Sequence, residues 1–197
     1  MSQSYPELQL DALRELANIG SGTAATALSS MLGRPVNLAV PNALMLPMAD
    51  VVDALGAPEE VVTAVMLPLV GDLRATALLL FTAADAAALC GLLGVEVDSD
   101  VGLSALAEIG NILGAAYIGA LSKMTALALE PRPPQTATDM VAAVVSSVLA
   151  ADAEQTDVAL LLDSELMVEG AECSLSFMLA PGKRGVSEIL TRLGLAG

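Results

Sequence analysis

The chain contains part of itself twice. Shifted by 93 positions, Leu10 to Gly33 falls on Leu103 to Ala126 without a gap, and 10 of the 24 positions are identical. Coincidences of Ala and Leu carry little weight between helices rich in both. Glu15 over Glu108 and Asn18 over Asn111 carry more. A repeat on this scale constrains the fold strongly, because each copy must build a similar supersecondary unit. Units of about 95 residues, in a chain of 197, bury their apolar faces most readily against one another.

The segments downstream of the two repeated helices also correspond. After the first come Pro35, Pro41 and Pro47 in a passage read as loop. Strand-like runs Val61 to Leu69 and Arg74 to Thr82 come next, then a short helix Ala83 to Leu93 closed by Gly94. After the second come Pro131, Pro133 and Pro134, then apolar runs Met140 to Leu149, Asp157 to Leu162 and Cys173 to Leu179, predicted as strands. A last helix, Val186 to Leu193, ends at Gly194, and glycine after a helix suits a left-handed cap. The whole reads as one pseudo-two-fold α/β (α+β) domain over residues 1–197. Its two helix–strands–helix repeats span about 8–95 and 101–197, with a seam near Glu96 to Val101.

Each repeated helix carries two stripes. Leu13, Ala17, Gly20, Ala24, Ala27 and Met31 step by three or four, as do Leu106, Gly110, Leu113, Tyr117, Ala120 and Met124; these are the inward faces. A second line holds Asp11, Glu15, Asn18 and Gly22, and its counterpart Ser104, Glu108, Asn111 and Ala115. The spacing stacks an acid, an amide one turn on, and then a small residue that leaves a hollow beside the amide. On one helix such a line is a solvated face. Asn, however, is a poor helix-interior residue, and its recurrence one turn after Glu in both copies points to a use. Asp11 and Ser104 also suit helix starts, as first-turn or N-cap residues.

Composition narrows that use. The chain has no histidine, which removes Ser-His-Asp and Cys-His catalysis and the HExxH zinc site. With 8 basic against 23 acidic residues, the net charge of −15 argues against a surface for nucleic acid. Its scarce lysines, Lys123 and Lys183, make the charge a deficit of bases. Cys90 and Cys173 form no CxxC and read as buried core thiols, and the nine methionines read as core filler. The mean hydropathy of +0.69 is high. Yet the longest apolar runs fall short of the roughly 20 residues a bilayer span needs. The uncharged stretch Leu16 to Gly33 is broken by Asn18, Ser21, Thr23, Thr26, Ser29 and Ser30. An N-terminus without the basic flank of a signal peptide completes the expectation of a cytoplasmic protein that inserts in no membrane.

The pattern [D/S]-x-x-x-E-x-x-N, carried by Asp11, Glu15, Asn18 and again by Ser104, Glu108, Asn111, resembles that of the CheC/CheX/FliY family of chemotaxis phosphatases. The family pattern ends in a proline about twenty-two residues on. Pro133 stands 22 after Asn111 and Pro41 stands 23 after Asn18, a departure expected to lie in a loop. A length without room for an added flagellar-switch domain, together with two intact motifs, fits the two-site branch. The resemblance implies a shared, mostly antiparallel sheet with both long helices on one face. It also implies hydrolysis of the phospho-aspartate of the response regulator CheY. Asn18 and Asn111 would position water, and Glu15 and Glu108 would pair with the receiver's lysine. No cofactor of the chain's own is implied, since the receiver domain brings its Mg²⁺. CheD, a receptor-modifying deamidase, is the second implied partner. The alternatives are an adaptor that binds CheD and phospho-CheY with little turnover, and a scaffold related to the flagellar switch.

Overall fold

A computed structural model describes residues 7–151, 157–168, 171–182 and 184–195. The first six residues, on which part of the N-terminal reading rested, and Lys183 lie outside the described residues. In chain order the elements are α1 (Glu7–Leu32), β1 (Val36–Pro47), a 3₁₀ turn leading into α2 (Val51–Leu55), β2 (Val61–Gly71), β3 (Ala75–Thr82) and α3 (Ala83–Leu92). The second half runs α4 (Asp100–Thr125), β4 (Leu129–Pro131), β5 (Gln135–Met140), α5 (Val141–Ala151), β6 (Val158–Val168), β7 (Ala171–Pro181) and α6 (Gly185–Arg192).

The strands form one antiparallel sheet in the order β1-β6-β7-β3-β2-β4, with β5 also on β2. The order is a palindrome of the two halves. Hairpins β2–β3 and β6–β7 meet at the β3–β7 pair, and each half's first strand pairs with the hairpin of the other half. Alternation along the strands divides the core in two. Val65, Leu67, Leu79, Leu162, Phe177 and Leu179 face α1, α3, α4 and α6; Val62, Ala64, Leu78, Leu80, Leu161 and Met178 face α2 and α5. The two long helices therefore lie on one face of the sheet, as expected.

Three sequence expectations change. Met140 to Leu149, predicted as a strand, is mostly helix α5. Its buried residues Val141, Val144, Val145 and Val148 have helical spacing, but the run is apolar throughout, so its valine content masked the period. The proline-rich passage read as loop is the 12-residue strand β1. The proline departure falls inside that strand. Between Ala39, opposite Glu165, and Asn42, opposite Asp163, β1 has one residue too many. The second half is interrupted at the same place: residues 132–134 separate β4 from β5 while β2 advances only from Leu69 back to Met66. At the unbroken shift of 93, Pro41 lies over Pro134. Both outer strands are thus kinked at an equivalent proline, which has no N–H to offer a further strand.

In α1 the inward stripe is shifted slightly: Leu13, Ala17, Gly20 and Ala24 are buried as predicted, but Ala27 is exposed and Leu28 turns inward. Close approach fixes the helices. A β-carbon on Gly20 would lie 2.3 Å from the Tyr117 ring, and one on Gly110 would lie 2.7 Å from Val65. The helix α4 is long and apolar enough to cross a bilayer, but half of that stretch is buried inside the fold.

Candidate functional site

Glu15, Asn18 and Gly22 lie along one exposed line of α1; Glu108 and Ala115 flank the same line on α4, with Asn111 half-buried between them. The helices pack against each other on the same side of the sheet. Their contact is made by the inward stripes, through Gly20 and Tyr117, so the polar lines are left facing outward. Tyr117 is the anchor behind them. Its hydroxyl shares a 2.8 Å hydrogen bond with buried Ser164 on β6, and its ring lies 4.9 Å from that of Phe177. Burial pushes the phenol above its ordinary range, while the Ser164 hydrogen bond pulls the other way. The sequence placed Tyr117 in an apolar stripe; nothing in it revealed that the tip reaches β6.

Among the described residues, none of the side chains of Glu15, Asn18, Glu108 and Asn111 makes a hydrogen bond or ion pair within the chain. Four polar groups held on rigid helices and left unspent are suited to engage something outside. The accompanying residues are otherwise occupied. Asp11 accepts from Arg14 at 2.7 Å, and Ser104 donates to the Asp100 carbonyl at 2.8 Å. Neither starts a helix: α1 begins at Glu7 and α4 at Asp100, capped by Ser99, whose hydroxyl accepts from the Gly102 amide. The helices begin one turn earlier than the repeat suggested, which moves both residues into the helix body.

Beside Asn18 the predicted hollow is present. A β-carbon at Gly22 would meet nothing within 4 Å, and a shallow, open stretch of the α1 surface runs along Asn18, Gly22, Thr23 and Thr26. No group of three or more His, Cys, Asp or Glu among the described residues is placed to hold a metal. Cys90 and Cys173 are buried free thiols, both raised in pKa by burial, and Cys173 also by the charge of Asp85.

Fold and helix pair together define a class of antiparallel-sheet proteins with two packed helices on one face. The crystal structure of Thermotoga maritima FliY matches it with a TM-score of 0.78 over 99% of this chain and all of that one, at 18% identity. The FliM middle domain of H. pylori matches with a TM-score of 0.69 over 95% of this chain and 99% of that one, at 14% identity. Sequence narrows the class. The CheC-like family profile matches residues 8–45 and 101–137, the two copies of helix and outer strand. The CheY-P phosphatase CheC of Bacillus subtilis (strain 168) is 31% identical over 95% of both chains. The chain belongs to the CheC-like family.

Proposed function

We propose that this protein hydrolyses the phospho-aspartate of a CheY-type response regulator. Asn18 and Asn111 hold the attacking water, and Glu15 and Glu108 dock each helix on the receiver. The observation that carries the reading is the pair of outward Glu–Asn lines with no partner inside the described chain. Similarity to the Bacillus CheY-P phosphatase supports the choice of substrate.

The chemistry asks little of the protein beyond position. The water oxygen bonds to phosphorus, the bond from phosphorus to the aspartyl oxygen breaks, and phosphate and the free carboxylate are released. An Asn carbonyl oxygen accepts from the water while its NH₂ donates to a phosphoryl oxygen. Being neutral, the amide is not repelled by the phosphoryl group, as a carboxylate would be. Placement on a helix held by Tyr117 keeps the amide in line, and positioning of this kind supplies a large share of phosphoryl-transfer catalysis. The receiver's own Mg²⁺ and lysine neutralise developing charge, so they belong to the substrate. Glu15 or Glu108 pairing with that lysine sets register more than affinity. A CheD deamidase is a second proposed partner, and no residue here is assigned to it. The setting would be the cytoplasm, where two-component signalling operates.

Phosphate release from phosphorylated receiver tests the mechanism. Asn18→Ala and Asn111→Ala each leave part of the turnover, and the double variant removes it while still binding the receiver. Glu15→Lys with Glu108→Lys removes binding. A double Asn variant that works at the wild-type rate would refute the mechanism, and a wild-type protein that releases no phosphate would leave the adaptor reading in its place.

A further inference from the structure

We propose that the two sites are specialised, and that Thr23 and Thr26 determine specificity at the Asn18 site by accepting hydrogen bonds from the receiver domain. The proposal rests on the phosphatase reading above and deepens it. The open surface beside Asn18 is lined by Gly22 and by the hydroxyls of Thr23, Thr26 and Ser30. Each hydroxyl spends its one proton inward: Thr23 Oγ1 donates to the Ile19 carbonyl at 3.1 Å, Thr26 Oγ1 to that of Gly22 at 3.0 Å, and Ser30 Oγ to that of Thr26 at 3.2 Å. A row of lone pairs remains on the outer side. A row of neutral acceptors matches a partner surface that presents N–H donors, from backbone or from uncharged side chains.

The second copy has no such row. At the shift of 93, Gly22, Thr23, Thr26 and Ser30 become Ala115, Ala116, Gly119 and Lys123. Three of these have no side-chain acceptor, and the fourth is an exposed donor. Asn18 itself is exposed where Asn111 is half-buried. Beyond its Asn, a receiver docked through Glu and Asn therefore finds this row of acceptors on α1 alone; the exposed hydroxyl on the α4 line, Ser104, precedes Glu108. The occupant is the receiver because the row continues, without a break, the line that carries Asn18.

Single-site backgrounds separate the copies. In an Asn111→Ala protein only the Asn18 site works, and Thr23→Val with Thr26→Val keeps side-chain shape while deleting both acceptors. The expected result is a KM for phosphorylated receiver about three- to tenfold higher with kcat held, the scale of one or two modest hydrogen bonds. Thr23→Ser with Thr26→Ser keeps the parent KM. In an Asn18→Ala protein, Gly119→Thr, at a position where a β-carbon meets nothing within 4 Å, lowers KM. An unchanged KM for the Val pair, or a loss in kcat alone with an unchanged unfolding midpoint, overturns the proposal. The phosphatase reading fails on a different result, no phosphate release by the wild-type protein, and its Asn mechanism on wild-type turnover in the double Asn→Ala protein; no threonine variant produces either.

Discussion

Asn18 and Asn111 sit inside 26-residue helices, where an asparagine is several tenths of a kcal/mol less favourable than alanine. The fold bears this twice, which accords with positions kept for contact with a partner. A second residue-scale feature lies at the ends of these helices. After α1, α3 and α6 the chain turns left-handed at Gly33, Gly94 and Gly194, whereas after α4 Ala126 takes that conformation, with φ of 56°. Ala126 lies over Gly33 at the shift of 93, so the second copy has alanine where the first has its cap glycine. Ala126→Gly therefore removes strain at an exposed site, and denaturant unfolding is expected to show a gain of about 0.5–1 kcal/mol. The Glu and Asn lines and the cap glycines Gly94 and Gly194 were legible in the sequence, because helix spacing and helix ends are local properties. The positions of Asp11 and Ser104 were not. The repeat marked where similarity begins, and each helix starts earlier.

At the scale of elements, the small residues of α1 and α4 have two opposite roles. Gly20 is in contact with Tyr117, so Gly20→Ala must push two helices apart and is expected to cost about 1–3 kcal/mol. Gly119 faces open space, so Gly119→Ala is expected to gain about 0.5–1 kcal/mol from helix propensity. Thermal unfolding of the two variants, measured side by side, checks the opposite signs. Sequence alone assigns both glycines to helices and cannot separate them, because the difference lies in what stands opposite. The same limit explains α5. The valines of this run are strand-like by propensity and its alanines helix-like, and its seat on the sheet, with Val141, Val144, Val145 and Val148 inward, decides for helix. The prolines of both outer strands were visible as a recurrence, yet their place at the two edges of the sheet depends on pairing.

On the scale of the whole molecule, the halves exchange strands. Among the described residues, strand β1 pairs only with β6 of the other half, and β4 and β5 pair only with β2. Neither half can complete its sheet. Fragments divided in the seam at Asp98 are expected to show no cooperative unfolding singly and to regain it, with native-like circular dichroism, when mixed. A sharp transition in either fragment alone would contradict the exchanged pairing. This arrangement also places α1 and α4 side by side with their polar lines outward.

The repeat, the pair of long helices and the line of acid, amide and small residue on each could all be read from the order of residues. Periodicity acts within a few turns of one chain segment and needs no partner to be read. Three-dimensional packing was needed to establish which strands meet across the halves and which glycines are pressed or open. It was needed also to show that the hydroxyl row beside Asn18 is free at its outer side. Those outcomes depend on contacts between residues far apart in sequence, where burial and close packing overrule local preference.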